Sequence, residues 1–407
     1  MIIKRCTLFI LYVVCVTTSA RSFAFRTLTE AREAGLREVS KVGTKLSKQE
    51  ADLFKKDLAQ LVEQRENTGF TGRSIIKITP YPETRFVIWG PLKGGFQSLL
   101  RALTYLEKQK ILDNTFKLTT PRVYIIFNGD VIEDSPYAFD TLKMVLALIK
   151  SNPNKIFYLR GINEDLLNWQ TKEFKRSLET NFRKGSAEKV PLNRLLTRFF
   201  NTLPLALYLG GKNPSDGLIR ISYFPINYPG LDERSCASFL STMTVNVPEI
   251  CLLSDQHKGS PVGLKALIKS ENRLVTYKNH PGLTLVEPDR GAVAWSIFSG
   301  VTAKYKEDYQ FVYDAFSIIE AGNSLKEATI SLYNRDIRGD DDFTRVVTYN
   351  LLTGQRQAVK QVSKKEAAVS ELQAKLEAAH QRISSLSARI EEYKKAVQAY
   401  KPKGVVS

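Results

Sequence analysis

Three acidic side chains, one amide and one amine recur just after short apolar runs in the first half of this 407-residue chain. Lys93 lies in Gly90-Pro91-Leu92-Lys93-Gly94-Gly95, after the run Arg85 to Trp89. Asp130 and Glu133 lie between Asn128 and Pro136, after Val123 to Phe127. Asn163 and Glu164 lie in Arg160-Gly161-Ile162-Asn163-Glu164-Asp165, after Lys155 to Leu159. Carboxylate and amide oxygens are the donors that hard divalent ions take. An ammonium among them is an ion-pair partner instead. The chain has three histidines, His257, His280 and His380, all in polar or helical surroundings, and neither Cys236 nor Cys251 sits in a nucleophile or metal-knuckle motif.

The elements that would hold these loops follow from periodicity. Phe96 to Leu106 repeats Leu99, Leu100, Leu103 and Leu106 at helical spacing, and a second helix is expected from Tyr137 to Lys150. Strands alternating with amphipathic helices indicate crossover units and a covered sheet, with any site in the loops at the strand ends. Upstream, Leu46 to Val62 suits an amphipathic helix lying on the main domain, and Arg73 to Ile78 starts the sheet. Trp169 to Thr202 reads as helical and basic, Gly217 to Phe224 and Thr284 to Val286 as strands, and Asn227 to Gly282 as the least regular stretch. Tyr309 to Ile319, Ala328 to Asn334 and Phe343 to Leu352 alternate like closing strands, with a turn at Arg338 to Asp342.

These loops resemble those of the calcineurin-like metallophosphoesterases, in particular the Ser/Thr protein phosphatase branch. That family reads Gly-Asp-x-His-Gly, Gly-Asp-x-x-Asp-Arg-Gly and Gly-Asn-His-Glu where this chain has Gly90-Pro91-Leu92-Lys93-Gly94, Gly129-Asp130-Val131-Ile132-Glu133-Asp134-Ser135 and Gly161-Ile162-Asn163-Glu164. Leu203-Pro204-Leu205-Ala206 resembles the segment before the family's His-Gly-Gly loop. The resemblance implies an α/β (α+β) fold: a two-sheet sandwich flanked by helices over residues 73–355.

For the site it implies loss. The family's two ions orient the attacking hydroxide, but Pro91 and Lys93 replace an Asp and a His ligand, Glu133 replaces an Asp, and Asp134 replaces a phosphate-binding Arg. An ungapped reading puts Ile162 on the ligand Asn; a shift of one residue puts Asn163 there and Glu164 on the His. The later His loops fall at Tyr223 to Ile226 and Ser299 to Thr302, where no histidine stands. Only Asp130 matches plainly. The expectation is therefore no catalytic residue, no cofactor, and a Lys93–Asp130 pair in place of the ions. A single divalent ion on Asp130 and Asn163, in a rebuilt phosphoesterase site, is the alternative.

The chain ends carry their own signals. Met1 to Ala20 has the charged, apolar and small-residue order of a signal peptide, followed by a helical leader over residues 21–72. Removing it lowers the formal charge from +17 to +15 by loss of Lys4 and Arg5. An exported chain has oxidising surroundings, so Cys236 and Cys251 are a disulfide candidate, with two separate thiols the other reading. Residues 356–400 are expected to form a heptad helix, with Val369, Leu372, Leu376, Ala379, Ile383, Leu386, Ile390, Tyr393, Val397 and Tyr400 at alternating steps of three and four. Residues 401–407 are a tail. The seam suits a protein partner or a second copy, and the dispersed basic charge suits an anionic envelope surface but not nucleic acid. Together these features suggest an inactive, exported structural or binding part of a bacterial envelope assembly, such as a secretion system, in the periplasm or cell envelope. A secreted phosphoprotein-binding protein is the alternative.

Overall fold

In a computed structural model the described residues are 25–36, 46–67, 75–133, 135–164, 166–170, 173–182, 189–210, 218–223, 249–254, 275–280, 283–288, 293–297, 299, 313–339, 341–351 and 353–357. The strands are β1 (Ile75–Ile78), β2 (Arg85–Trp89), β3 (Val123–Asn128), β4 (Ile156–Leu159), β5 (Ala206–Gly210), β6 (Leu218–Ser222), β7 (Glu249–Ser254), β8 (Val275–His280), β9 (Leu283–Pro288), β10 (Val293–Ile297), β11 (Tyr313–Glu320), β12 (Thr329–Asp336), β13 (Thr344–Asn350) and β14 (Arg356–Gln357). The helices are α1 (Leu28–Gly35), α2 (Lys48–Asn67), α3 (Phe96–Lys108), α4 (Ala138–Ser151), α5 (Leu166–Trp169), α6 (Glu173–Asn181) and α7 (Lys189–Asn201).

β2 and β3 read as unbroken apolar runs because each is buried on both faces. Phe86, Ile88 and Ile126 join the core between the sheets, while Val87, Trp89, Ile125 and Phe127 join the core beneath the helices. The first sheet runs β14-β13-β12-β11-β2-β3-β4. Its β2, β3 and β4 are parallel, and β11, β12 and β13 close it as an antiparallel meander. The second sheet runs β1-β5-β6-β7-β10-β9-β8 and turns Leu207, Leu209, Ile219, Ile221, Trp295 and Ile297 toward the first. The two-sheet sandwich flanked by helices is thus the observed architecture.

α3 and α4 are the crossovers between β2, β3 and β4, so their starts lie beside the strand ends that carry the candidate residues. The leader is fastened to this layer. Ser47 and Glu50 cap α2 reciprocally, each side chain accepting from the other's backbone N–H. Phe54 then packs on Phe139 and Phe182 with ring centroids 5.2 and 5.8 Å away. Near its end the buried Arg65 donates to the hydroxyl and carbonyl of Thr202.

Two expectations are revised. The stretch 227–282 contains β7 and β8, because the apolar Ile250-Cys251-Leu252-Leu253 pairs between β6 and β10 in the middle of the second sheet. The heptad helix expected from residue 356 does not begin there, because Arg356 and Gln357 form β14 and pair with Tyr349 and Thr348 of β13. β10 lay outside the sequence reading, and α1 falls within the expected helical leader, opened by a Thr27 side chain that accepts from the Glu30 N–H. The described residues, 25 to 357, belong to one compact unit. The signal-peptide segment, Cys236, His257, His380 and the heptad seam lie outside the described residues. Among the described residues no helix is long and apolar enough to cross a membrane.

Candidate functional site

The three loops converge through their backbones. The N–H groups of Leu92 and Lys93 donate to the Asp130 carbonyl at 3.1 and 2.8 Å, and that of Gly94 donates to Val131 at 2.8 Å. Gly90 N–H donates to Ser299 Oγ at 3.0 Å. The approach is close enough to demand glycine. A Cβ on Gly129 (φ +79°) would meet Gly161 Cα at 2.8 Å and the Tyr223 ring at 2.7 Å. One on Gly161 would collide with the Asp130 N–H and come within 2.5 Å of its Oδ1. Lys93 and Asp130 themselves hold φ of 52° and 51°, a region that costs a non-glycine residue ~1–3 kcal/mol and persists only where neighbours over-determine it.

Two buried carboxylates sit at this junction. Asp130 and Glu164 are each 1% exposed. Asp130 Oδ1 accepts from the Asn163 N–H at 2.9 Å, and Oδ2 accepts from the Tyr223 hydroxyl at 2.6 Å. Glu164 binds the loops together: Oε2 accepts from the N–H groups of Asp130 and Gly161, and Oε1 from those of Val131 and Ile132 and from the Tyr158 hydroxyl at 2.7 Å. Burial first, then the charge of Glu164, pushes the Asp130 carboxyl up to about 7, against the opposing pull of the Tyr223 and Asn163 donors. Burial raises Glu164 as well, opposed by its own donors. Burial and the neighbouring carboxylates push both tyrosines upward, so each remains a neutral donor. With five donors already facing Glu164, Asp130 is where a proton enters.

Lys93 departs from expectation. Its ion pair is with Glu133, Nζ to Oε2 at 3.1 Å, with both side chains about nine-tenths buried. Asp130 is instead engaged by Tyr223 and Asn163, and the Lys93 backbone already uses the Asp130 carbonyl. The pair is a charge contact off the line of a hydrogen bond.

The donor set does not fit the two ions that the resemblance implies. Both oxygens of Asp130 face hydrogen-bond donors, Glu164 is enclosed by N–H groups, and Ile162 stands 42% exposed where one register puts a ligand amide. Among the described residues no group of three or more His, Cys, Asp or Glu side chains is arranged to hold a metal. His280 ends β8, the far edge strand of the second sheet, and Cys251 lies within β7.

The structure therefore brings together Lys93, Asp130, Glu133, Asn163 and Glu164, and adds Tyr158 and Tyr223. The two tyrosines were missed as functional. A signal existed for Tyr223 and Ser299, which open the two segments where the resemblance places the later His loops; each hydroxyl ties down a neighbouring loop.

No protein-family model matches the chain. Among solved structures it is similar to a protein serine/threonine phosphatase from Saccharomyces cerevisiae with similarity to human phosphatase PP5, at 14% identity, covering 71% of this chain and 92% of that one, with a TM-score of 0.43. It is also similar to the cold-active protein-tyrosine phosphatase of a psychrophile, Shewanella sp., at 10% identity, covering 67% and 82%, with a TM-score of 0.33.

Proposed function

We propose that this chain is a catalytically inactive phosphatase-like protein that serves as a structural or binding part of a bacterial cell-envelope assembly, such as a secretion system. One observation carries the loss of catalysis: the carboxylate best placed to bridge two ions has both oxygens hydrogen-bonded to the Tyr223 hydroxyl and the Asn163 N–H. A dication there would have to displace a buried donor and compete with a proton held near neutral pH. The signal-peptide pattern over residues 1–20 supports export to the periplasm or envelope. The heptad seam supports a protein partner or a second copy, and the basic charge supports an anionic envelope surface.

Calorimetric titration with manganese, zinc and iron salts, paired with an aryl-phosphate assay, tests the first half. The expected result is no stoichiometric uptake and no turnover. Stoichiometric uptake with phosphoester hydrolysis would replace this reading with that of a rebuilt hydrolase. Deleting residues 363–400 tests the second half, with loss of the co-purifying partner or of self-association as the expected outcome; retained association would remove the seam from the proposal.

A further inference from the structure

α3 carries a second, polar face. Gln97, Arg101, Thr104 and Lys108 recur at steps of four, three and four, which places them on one side of the helix. The end of α1 closes on that side: Gln97 donates to the Gly35 carbonyl at 2.7 Å, and Arg32 reaches Thr104 and Glu107. The turn between β12 and β13 forms a third wall. The cleft so enclosed has a volume of about 480 Å3, within the range of small-molecule sites.

Its charged groups are set in advance by partners at its base. Arg101 donates through Nε and Nη2 to both oxygens of Asp314, at 2.6 and 3.0 Å, and Asp314 is fully buried. Arg335 lies 3.8 Å from the same carboxylate and is held by the carbonyls of Asp341 and Gly339. One buried carboxylate thus serves two guanidiniums, while Lys108 on the same face of α3 pairs with Asp342 at 2.8 Å. Arg32 also uses Nε and Nη2, on Thr104 and Glu107. Nη1 of Arg32 and of Arg101 has no acceptor among the described residues. Leu36, 86% exposed, and Leu100 add an apolar wall. Asp341 and Asp342 also line the cleft, so extended polyanions are repelled.

We propose that this cleft binds a small organic molecule carrying one compact oxyanion on a short apolar stem. The oxyanion, a carboxylate or a phosphate monoester, is received by the open edges of Arg32 and Arg101, whose planar forks match it. The stem lies against Leu36 and Leu100. None of the residues of the Asp130 cluster lines this cleft, and the inference does not rest on the function proposed above.

Titration calorimetry of the full chain with phenyl phosphate, benzoate and benzyl alcohol tests it. At least one of the two anions binds with a dissociation constant on the order of millimolar or tighter, and the neutral alcohol does not. Arg32→Gln, at a half-buried position, and Leu36→Asp, at an exposed one, each weaken that binding by about tenfold or more while the melting curve is retained. Asp130→Asn leaves it unchanged. Which anion binds more tightly separates a carboxylate ligand from a phosphate one. Absence of heat with both anions, equal binding of the alcohol, unchanged affinity in both cleft variants, or loss of binding in Asp130→Asn would each overturn the proposal.

Discussion

Replacing Asp130 by Asn removes one charge from the centre of the fold and changes little else in shape. Its effect on stability is set by proton linkage. The folded chain raises the Asp130 carboxyl from an ordinary 3.8 to about 7, through burial and the charge of Glu164; a rise of that size corresponds to ~4 kcal/mol. Because the folded state holds this proton more tightly than the unfolded state, the stability it supplies is complete below about pH 4 and is lost as pH climbs through about 7. Between about pH 5 and about pH 8 the parent should lose ~3 kcal/mol from this group. Asp130→Asn has no such proton, so its urea-unfolding free energy should lack that decline. The difference between the two proteins cancels the groups outside the coupled Asp130–Glu164 pair, and the test is the gap between the two pH–stability curves. Parallel curves would refute the reasoning, and so would a gap that moved in favour of the parent as pH rises.

Other perturbations probe the same junction. Lys93→Ala removes the ammonium 3.1 Å from the buried Glu133 carboxylate and should cost ~3–5 kcal/mol in urea unfolding, most of which Lys93→Met combined with Glu133→Leu should recover; a single variant that melts like the parent would contradict the pair. Tyr223→Phe removes a donor that matters most to a charged Asp130. Its cost, ~1–3 kcal/mol in full, should therefore be larger at about pH 8 than at about pH 5. Gly161→Ala forces a methyl group against Asp130 and within 2.7 Å of Glu164 Oε2. It should cost more than ~4 kcal/mol, whereas Gly339→Ala, where a Cβ meets nothing nearer than 3.6 Å, should melt near the parent temperature.

What could be read from the sequence follows how local each signal is. β2, β3, α3 and α4 were legible because burial on both faces gives a strand an apolar run, and burial on one face gives a helix its period. β7 is an equally apolar strand, but it is embedded in a stretch rich in Pro, Ser and Gly whose composition hides it. The convergence of the loops was legible because each follows a parallel strand and so ends on the same edge of the sheet. The partner of Lys93 was not. Asp130 and Glu133 are three residues apart, and the choice between them depends on Tyr223, a side chain 93 positions away that engages Asp130. Tyr223 and Ser299 carry no signal of their own in the sequence; only the folded chain gives the Tyr223 hydroxyl an acceptor in Asp130 and the Ser299 hydroxyl a donor in Gly90.

Hydrogen bonds hold the loops of this junction together. A metal ion would link the loops through side-chain oxygens; here Glu164 links them in the opposite sense, one anion collecting N–H groups from residues 130, 131, 132 and 161. That arrangement surrounds Glu164 with donors, beside a Lys93–Glu133 ion pair and an Asp130 carboxyl that burial and the charge of Glu164 push up to about 7. A dication approaching Asp130 would have to drive off that proton, displace the Tyr223 hydroxyl and tolerate the Lys93 ammonium in the same loop cluster. Each of these opposes binding, and the first makes any uptake release protons and strengthen with rising pH.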